Sequence, residues 1–111
     1  MTVFHKELAG GRWRTFPFIE QMANVGSEIE RAMAWRKRGS VADSAAAFER
    51  GLELLDLTIQ DPGNRKRLRE LCRLREALAD YFVGENTYRS TDELWRNYFY
   101  SFAYAARRER E

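Results

Sequence analysis

The stretch GSVADSAAAFERGLELLDLTIQDPGN, from Gly39 to Asn64, decides the fold. It opens on a glycine that can end one helix, followed by Ser40 as a cap for the next, with Asp43 near the exposed first-turn amides. Val41, Ala45, Phe48, Leu52, Leu55 and Ile59 then recur at helical spacing on one face. The stretch closes on Asp61-Pro62-Gly63-Asn64, where proline and glycine together break the helix and Asn64 can cap another. An amphipathic helix bounded by two short turns needs a neighbour on each side, running antiparallel to it.

Upstream, Phe18, Met22, Val25, Ile29 and Ala32 alternate at four and three, with Thr15 ahead of Pro17 and Glu20 as the start signal. Downstream, Leu68, Leu71, Leu78 and Phe82 mark a third face, closed by Gly84. Glu85 to Arg89 form the longest connection. Ser90 to Glu93 read as an S-x-x-E capping box, and Leu94, Trp95, Tyr98, Phe99, Phe102 and Ala106 give the last helix a broad apolar face. The sequence therefore predicts an all-α, single-domain, antiparallel up-down-up-down four-helix bundle with helices at about 16–38, 40–60, 64–83 and 90–108. Residues 1–15 read as an N-terminal extension and 16–111 as the bundle domain, with a three-helix bundle and one docked helix as the competing arrangement.

Composition removes several function classes. The 111 residues carry 19 Lys or Arg against 17 Asp or Glu, a net charge of +2 that argues against a dedicated polyanion binder. Charges interrupt every apolar run before it reaches the ~20 residues of a membrane span, and His5, Lys6 and Glu7 stand where a signal peptide needs its apolar centre. A cytoplasmic protein without membrane contact is expected. One cysteine, Cys72, and one histidine, His5, leave no metal cluster and no Cys-His dyad, and no glycine-rich phosphate loop is present. No cofactor, no metal and no catalytic set are expected.

Three constellations remain. Extrapolating the third helical face places Arg75 inside it, where a guanidinium needs a partner. Glu49 is the expected one across the turn, with Glu28 or Glu30 approaching from the first helix. The basic cluster Arg65, Lys66, Arg67, Arg69 and Arg73 puts 65, 66, 69 and 73 on one side, a candidate contact for an anion or nucleic acid, although Glu70, Glu76 and Asp80 are spaced for intrahelical pairing. Finally, Tyr100 and Tyr104 lie one turn apart on the outer side of the last helix, between Arg96 and Arg108. Tyrosine and arginine are the residue types enriched at protein contacts, which makes this the candidate protein interface. Of the single residues, Cys72 reads as a small buried hydrophobe, Asp56 as a partner for Arg69, and Trp13 and Trp35 as lids over the core.

Gly39 to Leu55, with Ser44, Phe48, Gly51 and Leu52, resembles half of a tetratricopeptide repeat, but Pro62 comes late and no second copy follows at the repeat's period. Gln21 to Val25, Phe48 to Asp61, Tyr81 to Ser90 and Trp95 to Arg108 are similar to small prokaryotic helical-bundle proteins of unassigned function, a resemblance that implies a fold and no activity. Helical nucleases of the HEPN type carry a catalytic arginine and histidine on the last helix. Here Arg96 is followed by Asn97-Tyr98-Phe99-Tyr100-Ser101 without a histidine, which speaks against an active nuclease. The expected function is a non-enzymatic protein-protein interaction or self-association module, with a protein partner or homodimer seated on the last helix. The alternative is an RNA- or DNA-binding helical protein, such as a toxin-antitoxin-type component.

The near-neutral total is a sum of unlike parts. Residues 40–63 carry one basic and five acidic groups, while 64–84 carry six and three. Such alternation predicts that much of the basic charge is paired inside the fold.

Overall fold

The computed structural model describes residues 10–110. Among them the chain forms four α-helices, α1 (Phe18–Lys37), α2 (Val41–Gln60), α3 (Leu68–Phe82) and α4 (Asp92–Arg110), with 3-10 turns at Arg12–Thr15 and Pro62–Arg67 and no strand. Contacts between the helices set their directions. Ala32 meets Ser44 and Glu28 meets Arg50, so α2 returns along α1. Phe48 stacks on Phe82 while Asp56 pairs with Arg75, so α3 returns along α2. Arg36 reaches Asp92 and Phe18 reaches Phe102, which closes the bundle with α4 antiparallel to α1. The fold is an all-α four-helix bundle in which α1 is central, packing along both α2 and α4, while α3 leans on α2.

The predicted α1 stripe is the buried one: Met22, Val25, Ile29 and Ala32 are fully enclosed. On α2 the buried face is rotated from the expected one. Val41 is 79 % exposed and Ala45 is also outside, whereas Ser44, Ala47, Gly51, Leu54 and Thr58 are buried beside Phe48 and Leu55. The cause is close approach of α1: a Cβ at Gly51 would lie 3.1 Å from Ile29 Cδ1 and 3.3 Å from Glu28 Cβ, so the small side of α2 must face α1. On α3 the enclosed residues are Leu71, Leu74 and Leu78; Leu68 is largely exposed, and so is Cys72, which is not the buried hydrophobe expected of it.

Helix starts depart from the expected caps because other local hydrogen bonds engage the same residues. Thr15 ends the first 3-10 turn, its hydroxyl donating to the Arg12 carbonyl, and α1 begins after Pro17. Ser40 stands at the N-terminus of α2 but donates its hydroxyl to Asp43 instead of capping an amide. Thr91 takes the place expected of Ser90: its Oγ1 accepts from the Leu94 amide at 3.1 Å, while the Ser90 amide donates to Asn86 Oδ1. Asn86, at φ 54°, turns this connection, and Asp80 anchors it by accepting from the amides of Thr87 (2.8 Å) and Tyr88 (3.0 Å). Those two bonds hold the Asp80 carboxyl below its ordinary pKa.

Asn64 does not cap α3. It is buried in the second 3-10 turn, and its amide donates to Gln21 Oε1 and to the Thr58 carbonyl, both at 2.9 Å. Gln21 Nε2 in turn donates to the Trp13 carbonyl (3.0 Å) and to Asp61 Oδ2 (2.9 Å), and Trp13 Nε1 donates to Thr58 Oγ1 (2.9 Å). Every buried member of this network is satisfied, the condition under which internal hydrogen bonds offset the desolvation of polar groups in a core. Trp13, only 2 % exposed, also carries the core past the boundary expected at residue 16, so the 3-10 turn at Arg12–Thr15 belongs to the bundle. Trp35 is no lid: it is 36 % exposed, with the Arg38 guanidinium over its ring.

Candidate functional site

The outer face of α4 follows from how its inner face is used. Trp95 and Phe99 are buried against α1, with Tyr98 and Phe102 half-buried beside them. Burial, reinforced by nearby Glu70, pushes the Tyr98 hydroxyl above its usual pKa. Residues a third of a turn or more away from this side face outward. Tyr100 and Tyr104 are 59 % and 49 % exposed, and their rings stack with centroids 6.3 Å apart and planes 24° apart. The Arg108 guanidinium lies 6.0 Å from the centre of the Tyr104 ring, at the limit of a cation-π contact. Arg96 donates from Nε to both carboxylate oxygens of Glu30 on α1, at 3.3 Å. The four predicted interface residues thus share one face.

Between α1 and α4 this face opens into a cleft of about 450 Å³. Ala23, Gly26 and Ser27 form one wall, Phe99, Tyr100 and Ala103 the other, and the Glu30–Arg96 pair crosses one part of the rim. Small residues on α1 are required here: a Cβ at Gly26 would lie 2.8 Å from Phe99 Cβ. Trp95 also lines the cleft, and its buried indole N–H finds no acceptor among the described residues. An orphaned buried donor costs about 1–3 kcal/mol. A second hollow of about 320 Å³ lies farther along α4, beside Tyr104, Ala105 and Arg108.

Arg75 is not in the core and does not pair with Glu49. Because Leu74 occupies the buried position, Arg75 falls at the edge of α3, its side chain 42 % exposed, and donates from Nε to Asp56 Oδ1 at 2.7 Å. This bond holds the guanidinium in its charged form, raising its pKa. Asp56 is therefore engaged by Arg75 and not by Arg69, and Glu49 is exposed on α2. Of the other acids considered, Glu30 goes to Arg96, while Glu28, buried between α1 and α2, accepts from both Arg31 and Arg50.

The basic cluster is divided. Arg69 and Arg73 lie one turn apart on α3, but Arg65, Lys66 and Arg67 belong to the preceding 3-10 turn, whose tighter winding takes them out of the register of a continuous helix. Arg67 covers the Phe18 ring at 4.2 Å. Arg65, Lys66, Arg69 and Arg73 are exposed and none takes part in an ion pair among the described residues, so the intrahelical pairing expected for them does not form.

Sequence reasoning missed a further cluster, where α1, α3 and α4 converge. Arg36 lies 4.5 Å from the Tyr81 ring centre and 4.7 Å from that of Phe82, and donates to Asp92 Oδ1 at 3.1 Å. The Tyr81 hydroxyl donates to the same oxygen at 2.5 Å, and burial with the Asp92 charge raises its pKa. All polar members have partners, so the cluster is a clamp holding three helix ends. The only hint in the sequence was the run of charge in Arg36, Lys37 and Arg38.

His5 lies outside the described residues. Among those described, no group of three His, Cys, Asp or Glu is placed to hold a metal ion, and no helix is long and apolar enough to cross a membrane. No family model, curated protein sequence or solved structure matches the chain.

Proposed function

We propose that the protein is a non-enzymatic protein-binding module whose contact is the outer face of α4 and the cleft it shares with α1. The observation that carries this reading is the exposed, mutually stacked pair Tyr100 and Tyr104 at the edge of an apolar-floored cleft, with Arg96 and Arg108 beside them. Tyrosine offers large contact area at low entropic cost and arginine a planar cation, the combination that dominates protein contacts. The exposed, unbridged Cys72 suits a reducing compartment, in keeping with a cytoplasmic location. The test is affinity capture with the chain as bait, run beside the Y100A/Y104A variant, together with sedimentation of both. Loss of partner or self-association in the variant is expected. A monomer that captures nothing, or capture indifferent to both tyrosines, overturns the reading.

A second reading is favoured by one observation, the absence of ion pairs at Arg65, Lys66, Arg69 and Arg73 among the described residues. These four exposed cations around the start of α3 could follow a phosphate backbone. Binding to single-stranded RNA or DNA would then weaken steeply as salt rises. A binding curve flat in salt, or none at all, removes this reading.

A further inference from the structure

We propose that the occupant of the α4 face is a second copy of this chain, docked α4 against α4, antiparallel, about a two-fold axis at Tyr100. The proposal rests on the reading of this face as a protein contact and adds the partner and the register. Its basis is the order of charge along the exposed stripe.

At 3.6 residues per turn, residues seven apart return to within about 20° of one line along the helix. Glu93, Tyr100 and Arg107 are spaced in this way, and all three are exposed. Arg96 and Tyr104 flank the line, each about 40° to one side of Tyr100. Tyr100 is the midpoint of both pairs, 93 with 107 and 96 with 104. In an antiparallel pair centred there, Glu93 of each copy faces Arg107 of the partner subunit, and Arg96 faces Tyr104 of the partner subunit. Two ion pairs and two arginine-aromatic contacts form by symmetry, an isologous interface in which one patch complements itself.

The arrangement suits the bonds already present. Glu30 holds Arg96 through its in-plane Nε–H, which leaves the flat face of the guanidinium free to stack on a tyrosine ring. Asp92, the other acid in the first turn of α4, is engaged internally by Arg36 and Tyr81, so Glu93 is the acid that faces out. A parallel pairing would set Glu93 against Glu93 and Arg107 against Arg107. The charge order therefore selects one orientation, and antiparallel macrodipoles favour it too.

The experiment is sedimentation equilibrium of the full chain and of E93K, R107E and E93K/R107E, with circular dichroism as the check on folding. The unsubstituted chain is expected to dimerise. Each single reversal, which turns two attractive contacts into two repulsive ones, is expected to weaken the dimer by about tenfold or more, and the double reversal to restore it. As a second measurement independent of the charge reversals, R107K keeps the charge and both tyrosines, and a zero-length carbodiimide should then join its new amine to Glu93 of the partner subunit, since within one helix the two positions are about 21 Å apart. A chain that is monomeric at every concentration, a dimer indifferent to the single reversals, a folded double variant that fails to recover, or R107K that does not cross-link overturns the proposal. If the chain is monomeric but still captures other proteins through Tyr100 and Tyr104, the second copy is excluded and the protein-binding face stands.

Discussion

At the base of the bundle, Trp13, Gln21, Thr58 and Asn64 are each at most 4 % exposed, and their polar groups bond to one another or to nearby backbone. Along the outer side of α4, Tyr100 and Tyr104 are 59 % and 49 % exposed, and the buried Trp95 indole N–H has no acceptor among the described residues. Both regions are rich in groups that can bury area and hydrogen-bond at once. In the first, that capacity is spent inside the chain and fixes how the segment before α1 meets the end of α2. In the second it is left over, as the proposed contact requires. Substitutions should therefore separate the two, with the base controlling stability and the α4 face controlling association.

The largest effect is expected from Trp13→Ala. It removes a buried ring and the donor to Thr58, and should lower unfolding free energy by about 3–5 kcal/mol in chemical denaturation. Asn64→Leu keeps the branching and number of side-chain heavy atoms but leaves Gln21 Oε1 and the Thr58 carbonyl without this donor. A loss of about 2–4 kcal/mol is expected by the same measurement, and an effect below that of a surface change would mean the network is not closed to water. Gly26→Val tests the boundary between the regions. Its side chain would meet Phe99 at the narrowest approach of α1 and α4, with about 1–3 kcal/mol lost and the cleft altered in the same variant.

How much of this was legible in the sequence depends on the size of the signal each residue carries. The α1 stripe could be read because Met22, Val25 and Ile29 are large and apolar at strict spacing. Hydropathy does not show the α2 face, because Ser44, Ala47 and Gly51 are buried for their smallness. Periodicity counted from Leu68 points to Arg75 in place of its neighbour Leu74, because Leu68 is itself 43 % exposed and a poor origin for the count. Asn64 obeys a local capping rule in isolation, but its partners lie on α1 and at the end of α2, beyond the reach of any local rule. The exposed tyrosines were readable because the inner side of α4 was already filled.

Two smaller effects sharpen the comparison. The Asp80 carboxyl has a lowered folded pKa, so its contribution is present above the ordinary aspartate range and is lost as pH falls through the lower folded value. Protection of the Thr87 and Tyr88 amides, measured against their intrinsic exchange rates, should be lost in that acidic window, and Asp80→Ala should abolish it at every pH. The base of the bundle should not respond there. Smallest of all, Y100A/Y104A should leave unfolding free energy within about 0.5 kcal/mol of the unsubstituted chain, even as association is lost. A large destabilisation would mean that the stacked pair serves the fold, and the contrast between the two regions would collapse.

The hydrogen bonds at the base also bear on the order in which the chain folds. Trp13 and Thr58 are 45 residues apart, and Gln21 and Asn64 are 43 apart. The α1–α2 hairpin can zip from its turn at Gly39, through contacts that grow outward one helical turn at a time. The network at its open end can form only after that zipping is complete, when the entropy of closing the whole loop has been met. Contacts made so late are largely absent from the transition state. Substitutions at Asn64 should therefore speed unfolding and leave the folding rate almost unchanged, so that the base acts as a latch on the lifetime of the folded chain.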